Sequence, residues 1–171
     1  MCMDHIIMNN SSIIKKLQGI GFLRGIDLTY LEQIAGISEV CEYDTHEILF
    51  HEGEEAEYVY FVVAGKITLE LCPSTIFQKN LLSVGPGEML GWSSFVEQRN
   101  YASTGVVVVP TQLIRIEGRR LREICDKDLE FGYDFMHRIM QGLARRLTTT
   151  WSQLAHIYLP TNLPMKAGFD A

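Results

Sequence analysis

The apolar positions of this chain keep two different periods, and the change of period divides it. Ile13, Ile14, Leu17 and Ile20 share one face of a helix that Ser11 and Ser12 can cap. A second short helix covers about 29–34 and stops at Gly36. From about residue 39 the period falls to two. Ile67, Leu69 and Leu71 alternate with Lys66, Thr68 and Glu70, as along a half-buried strand. The run 58–63 is too continuously apolar to be half solvated, and 47–50, 106–109 and 113–116 read as further short strands. Turn residues punctuate them at Gly53, Gly65, Pro73-Ser74, Gly85-Pro86-Gly87 and Pro110. Gly53 and Gly65 bracket the 58–63 run at a spacing that suits a β-hairpin, where a turn often needs φ > 0. Gly65 is expected to turn the chain back into 66–71, and Pro110 to separate the last antiparallel pair.

The helical period returns at the end, over a short segment 119–125 and a long one from Leu129 to Tyr158, which Pro160 and Pro164 close. The expected architecture is mainly β with flanking helices (α+β). It reads as one domain: N-terminal helices in 1–38, a jelly-roll-like antiparallel β-barrel in 39–117, C-terminal helices in 118–158 and a tail in 159–171. Met136, Met140, Leu143, Leu147, Thr150, Leu154 and Ile157 step by four and three along the last helix, which is a heptad seam. About 30 residues make a helix of roughly 45 Å, longer than a small barrel is wide. A parallel homodimer through this C-terminal helix is therefore expected.

Charge and composition narrow the function. The formal net charge is −6 over 171 residues, which argues against broad electrostatic binding to nucleic acid or anionic membrane. No apolar run reaches the roughly 18 residues of a membrane span. Met1 to His5 offers no basic, then apolar, secretory leader. Cys2, Cys41, Cys72 and Cys125 are scattered without a CxxC spacing, so free thiols in a reducing cytoplasmic setting are expected, with no metal and no cofactor. His46 and His51 lack the third histidine and spacing of a cupin-type metal set. The Glu52, Glu54, Glu55 and Glu57 run reads as a solvated face, and Arg119, Arg120 and Arg122 are too few for a nucleic-acid surface. No nucleophile–base constellation is present, so catalysis is not expected.

The segment 49–65 carries the sharpest motif. An apolar lead, Gly53, Glu54, Ala56, four apolar residues Val59 to Val62 and then Gly65 resemble the first signature of the cyclic-nucleotide-binding domain in the catabolite activator superfamily, from which only Phe50 departs. The resemblance implies a jelly-roll sensor with a phosphate-binding cassette, here Leu90-Gly91-Trp92-Ser93-Ser94-Phe95 followed by the loop to Thr104. Gly91 and Ser94 match the cassette, and backbone N–H groups at the start of its short helix would cradle an anion. Trp92 stands in place of the glutamate that accepts the ribose hydroxyl. A gapless alignment puts Ala102 where the phosphate-pairing arginine belongs, with Ser103 matching the next position. Arg99 lies three residues early and reaches the pocket only through a remodelled loop. Losing both charged contacts, each about 1.5–3 kcal/mol, weakens cyclic AMP roughly a hundredfold to ten-thousandfold.

Ala144-Arg145-Arg146-Leu147 is similar to a tetrapeptide in the superfamily's dimerisation helix. Thr150 and Trp151 then fall where relatives contact the base, with Trp151 replacing a serine. The resemblance also implies that a helix-turn-helix module, were one present, would follow Tyr158, where about a dozen residues remain; no DNA binding is expected. Two readings stay open at this point. One is a homodimeric, non-enzymatic sensor of a small, nucleotide-like molecule that signals through its long helix, with output in a separate protein. The other is a dimeric interaction or scaffold module whose pocket is dead.

Overall fold

A computed structural model describes residues 5–6, 9–71, 79–95 and 100–158. Helix α1, Asn10–Gly19, begins earlier than the serine caps predict, because Asn9 is the cap and its side chain accepts the Ser11 N–H. Asparagine caps as well as serine does, and the first suitable residue wins. Helix α2, Leu28–Ala35, is capped by Asp27, which accepts the Thr29 N–H at 2.9 Å, and it ends at Gly36 as expected.

The strands are β1 (His5–Ile6), β2 (Ser38–Tyr43), β3 (Ile48–Phe50), β4 (Tyr58–Leu71), β5 (Lys79–Val84), β6 (Met89–Leu90) and β7 (Thr104–Glu117). They form one antiparallel sheet in the order β1-β2-β7-β4-β5, with β3 added to β7 and β6 to β4. The path is open at β1 and β5 rather than closed into a full barrel. The two 14-residue strands β4 and β7 each change partners half-way, β4 from β6 to β5 and β7 from β3 to β2. That exchange rolls the sheet in the jelly-roll manner.

Two sequence expectations fail here for one reason. Gly65 and Pro110 do not turn the chain; both lie inside continuous strands. The β4–β7 register passes from Ala64↔Gln112 to Lys66↔Val109, leaving Gly65 opposite Pro110 and Thr111. Proline has no N–H to give a ladder, so an unpaired position must absorb it. Gly65 has φ 96°, and a Cβ there would collide with the Thr111 side chain and Cα. The hydroxyl of Thr111 takes over the lost pairing, accepting from the Lys66 N–H at 3.0 Å and donating to the Val109 carbonyl at 2.7 Å. The expected hairpin around Gly53 is also absent, since β3 pairs with β7.

The apolar run of β4 is explained by burial on both faces. Val59 and Phe61 face a core shared with α1, α2 and the C-terminal helices, while Tyr60 and Val62 face a second core inside the roll. Helix α3, Gly118–Lys127, leads into α4, Leu129–Tyr158, whose bounds agree with the sequence reading. Helix α4 packs on the first core through Phe131, Phe135 and Ile139, all buried. Its other side leaves Met136, Met140, Leu147 and Trp151 exposed. The side chains of Leu154 and Ile157, the last of the expected seam, lie outside the described residues.

Candidate ligand-binding site

Strand β6 delivers the chain to Gly91 by pairing Met89 and Leu90 with Phe61 and Tyr60 of β4. At Gly91 the backbone takes φ 83°, and a Cβ would run into the Tyr58 carbonyl and Val59 Cα. Only glycine closes this strand so tightly against β4. A four-residue 3-10 turn, Trp92–Phe95, follows. Its Ser94 is buried, with N–H and hydroxyl both directed to the Gly91 carbonyl at 3.2 and 3.0 Å. The Arg122 guanidinium donates to the Ser94 carbonyl and ties the turn to α3. Ser93 is buried as well.

The structure separates the expected pocket residues. The ring of Trp92 packs with Phe95 against the helix-side core, toward α4, rather than into the roll. Thr150 donates its hydroxyl to the Arg146 carbonyl of its own helix at 2.9 Å. Trp151 is 62% exposed, so the two tryptophans do not meet within one chain. Ala102 is exposed and Ser103 half-buried, while Arg99 lies outside the described residues.

The residue that enters the roll is the one before Ala102. Tyr101 is buried and stacks on Phe50 with ring centroids 3.9 Å apart, and Phe50 in turn stacks on Tyr60 at 5.9 Å. The Tyr101 hydroxyl donates to the Tyr58 carbonyl at 3.2 Å and accepts the Tyr58 N–H at 3.3 Å. Burial raises the phenol pKa of both Tyr60 and Tyr101, so each remains a neutral group. A cation borders this inner core: Arg115 stands opposite Tyr60 across β4 and β7, and its charge opposes the rise of the Tyr60 pKa. Arg115 also lies over the Tyr58 ring at 4.5 Å and is held by Glu39 across β2 and β7. Sequence spacing missed Tyr101 because a gapless count cannot tell which side of the loop faces inward. The bulk of an aromatic Tyr101 beside a small Ala102 was the available clue.

Residues 40–128, just over half of the chain, match the family described as the cyclic nucleotide-binding domain. The chain belongs to that family. Over 147 residues it is 22% identical to the CRP-like cAMP-activated global transcriptional regulator of Mycobacterium tuberculosis (strain CDC 1551 / Oshkosh), a match covering 84% of this chain and 62% of that protein. The chain thus spans less than two thirds of that curated relative. A cyclic nucleotide-binding domain from Methylobacillus flagellatus KT shares the fold at TM-score 0.73 and 14% identity, covering 90% of this chain and 86% of that one. The regulatory subunit of a cAMP-independent protein kinase A from Trypanosoma brucei does so at TM-score 0.68 and 19% identity, over 85% of this chain and 51% of that one.

Among the described residues of this cyclic nucleotide-binding domain, Trp92 walls two hollows. One, about 490 Å³, lies between α4, the 3-10 turn Gly21–Leu23 and the turn before β6. Arg146 reaches into it and donates to the Met89 carbonyl, while burial holds its guanidinium pKa below the ordinary value against the pull of Glu88. The other is an apolar groove of about 560 Å³ along α4, formed with Phe95, Met136, Met140, Leu143 and Leu147. Among the described residues no group of three His, Cys, Asp or Glu side chains is placed to hold a metal ion. None of the described helices is long and apolar enough to cross a membrane.

Proposed function

We propose that this chain is a non-enzymatic, homodimeric regulatory domain that has given up tight cyclic-nucleotide binding and senses a different small molecule through α4. The observation that carries the reading is the aromatic filling of the roll: the Phe50, Tyr60 and Tyr101 rings are stacked and buried, and the guanidinium that borders them, Arg115 opposite Tyr60, is already bound to Glu39. A cyclic phosphate placed there would lose its water and would have to displace Glu39 to gain the Arg115 counter-charge, which costs more than its hydrogen bonds return. The exposed Met136, Met140 and Leu147 on α4 support the dimer, since a stripe of large apolar side chains beside an apolar groove is the kind of surface a second copy covers. The same filled interior also favours the second reading, a dimeric scaffold whose pocket is dead. The net charge of −6 supports the expectation that these 171 residues do not bind DNA by themselves.

Calorimetric titration with cyclic AMP and cyclic GMP tests the pocket, and sedimentation tests the dimer. The expected result is a dimer that shows no saturation by either nucleotide at low micromolar concentration. Tight, saturable cyclic AMP binding would overturn the pocket reading, and a monomer at tens of micromolar would overturn the dimer.

A further inference from the structure

The hollow beneath α4 carries three features that its packing does not require. The first is Gly142. A glycine in the middle of a helix costs stability relative to any ordinary residue. Gly132, on the same helix, is needed, because a Cβ there would strike the Cys125 carbonyl; a Cβ at Gly142 would meet nothing within 4 Å. Gly142 therefore serves no close contact, and its bare backbone keeps the hollow open. The second is Arg146. Its guanidinium has five N–H donors, and its described hydrogen bond goes to the Met89 carbonyl alone. Glu88 is the nearby carboxylate, and one of its oxygens accepts the Gly85 N–H at 2.7 Å inside the turn. With Arg145 also in the lining, the described residues of the hollow include two cations and one anion. The third is the pair of rings. Trp92 forms one wall, and Phe22, braced by Phe61 and Phe135 at centroid distances of 5.7 and 5.4 Å, forms another.

We propose that this hollow is a binding site for a small aromatic anion, one or two fused rings bearing a single acidic group, with Arg146 as the anion contact and Trp92 and Phe22 as the ring walls. Its volume of about 490 Å³ suits such a molecule. Its lining meets the core inside the roll at Leu82, while Arg146, Trp92 and Phe22 all lie outside that core. Ring stacking on indole supplies apolar contact, and a guanidinium pairs with a carboxylate or sulfonate through two parallel N–H donors. The ligand would lie against α4 directly, which deepens the sensing reading above and rests on it only for the output, not for the binding.

The probe pair is 8-anilinonaphthalene-1-sulfonate and its neutral relative N-phenyl-1-naphthylamine. In a Trp151→Phe background Trp92 is the sole remaining tryptophan, so energy transfer from it reports a dye in the hollow. The expected result is binding of the sulfonate at least tenfold tighter than the neutral dye, with strong quenching of Trp92. Arg146→Met should bring the two dyes within about twofold, and Arg146→Lys should keep part of the preference. Gly142→Leu, which fills the hollow while favouring the helix, should abolish binding of both dyes without lowering the unfolding temperature or changing sedimentation. Equal affinity for the two dyes, or undiminished binding to the Gly142→Leu protein, overturns the proposal and places the dye on the apolar groove instead. Should Arg146→Met fail to fold, the Gly142→Leu and Arg146→Lys proteins decide the matter. Failure here leaves the cyclic-nucleotide titration and the dimer measurement standing, because neither reads this hollow.

Discussion

The inside of the roll and the outer side of α4 are built from similar residues with opposite results. Inside, Phe50, Tyr60 and Tyr101 close on one another, and the Tyr101 hydroxyl is satisfied by the Tyr58 backbone. Outside, Met136, Met140, Leu147 and Trp151 stand in solvent within one chain, beside hollows that the packing leaves open. A binding domain has only so much aromatic surface to place. Under the proposed reading, the inside of the roll serves stability and the helix carries the unmet surface. The lesson is that a family's fold can be inherited while the place where a ligand acts is not.

The largest expected contrast comes from truncating one residue on each side. Phe50→Ala removes a buried ring at the centre of the inner stack and should cost about 3–5 kcal/mol, read as a lower urea midpoint. Met140→Ala, at 58% exposure, should change a separated subunit's stability by less than about 0.5 kcal/mol. Equal losses at dilutions that separate subunits would mean that the face of α4 is not free in the single chain.

Next in size is the association itself. Leu147→Asp puts a charge into the proposed seam and should weaken the dimer roughly a hundredfold or more, corresponding to about 3 kcal/mol. Sedimentation across a concentration series measures it. A parent dimer that survives Leu147→Asp unchanged would show that the copies meet elsewhere.

Much of this frame was legible beforehand. The bounds of α4, the stop at Gly36 and the need for glycine at position 91 follow from periodicity and from motif spacing, which are local properties. What could not be read is non-local. Gly65 and Pro110 look like two turns until β4 and β7 are paired, when each proves to be the answer to the other. The choice between Tyr101 and Ala102 depends on which way one peptide faces, and a shift of one residue reverses every side chain. Arg146 enters the sequence reading only within the tetrapeptide of the expected dimer helix, and its partner, the Met89 carbonyl, lies 57 residues away.

The Tyr101 assignment yields a smaller but sharper effect. If Tyr101 occupies the inward position, Tyr101→Arg adds to the roll a cation that Glu39 does not hold and should strengthen cyclic AMP binding about tenfold, one charge-assisted hydrogen bond of roughly 1.5 kcal/mol. Ala102→Arg, on the exposed side, should leave it unchanged. Calorimetry that finds the reverse would restore the gapless alignment.

The smallest effect lies where α4 is anchored. Tyr30 of α2 donates to Asp128 Oδ2 at 2.5 Å, and its ring stacks on Phe131 with centroids 4.4 Å apart. Asp128 also accepts the Glu130 and Phe131 N–H groups, each at 3.1 Å, so it caps α4 while holding α2 to it. The hydrogen bond to Asp128, aided by burial and by the charges of Glu130 and Asp27, pushes the Tyr30 phenol up to about 12 from an ordinary 10.0. Its folded pKa is the higher one, so its contribution is fully present below pH 10 and is lost as pH rises through about 12. The same bond, followed by the Phe131 N–H, lowers the Asp128 carboxyl below its ordinary 3.8. That contribution is present above this ordinary value and is lost as pH falls through the folded one. Thermal unfolding of the parent and of Tyr30→Phe across pH 8 to 12 should therefore show a gap that narrows only above pH 10. At the acid end the Tyr30→Phe protein should keep part of its slope, because two backbone donors still hold Asp128. A gap that stays constant across the alkaline range would show that Tyr30 holds α4 by its ring on Phe131 and not by its hydroxyl.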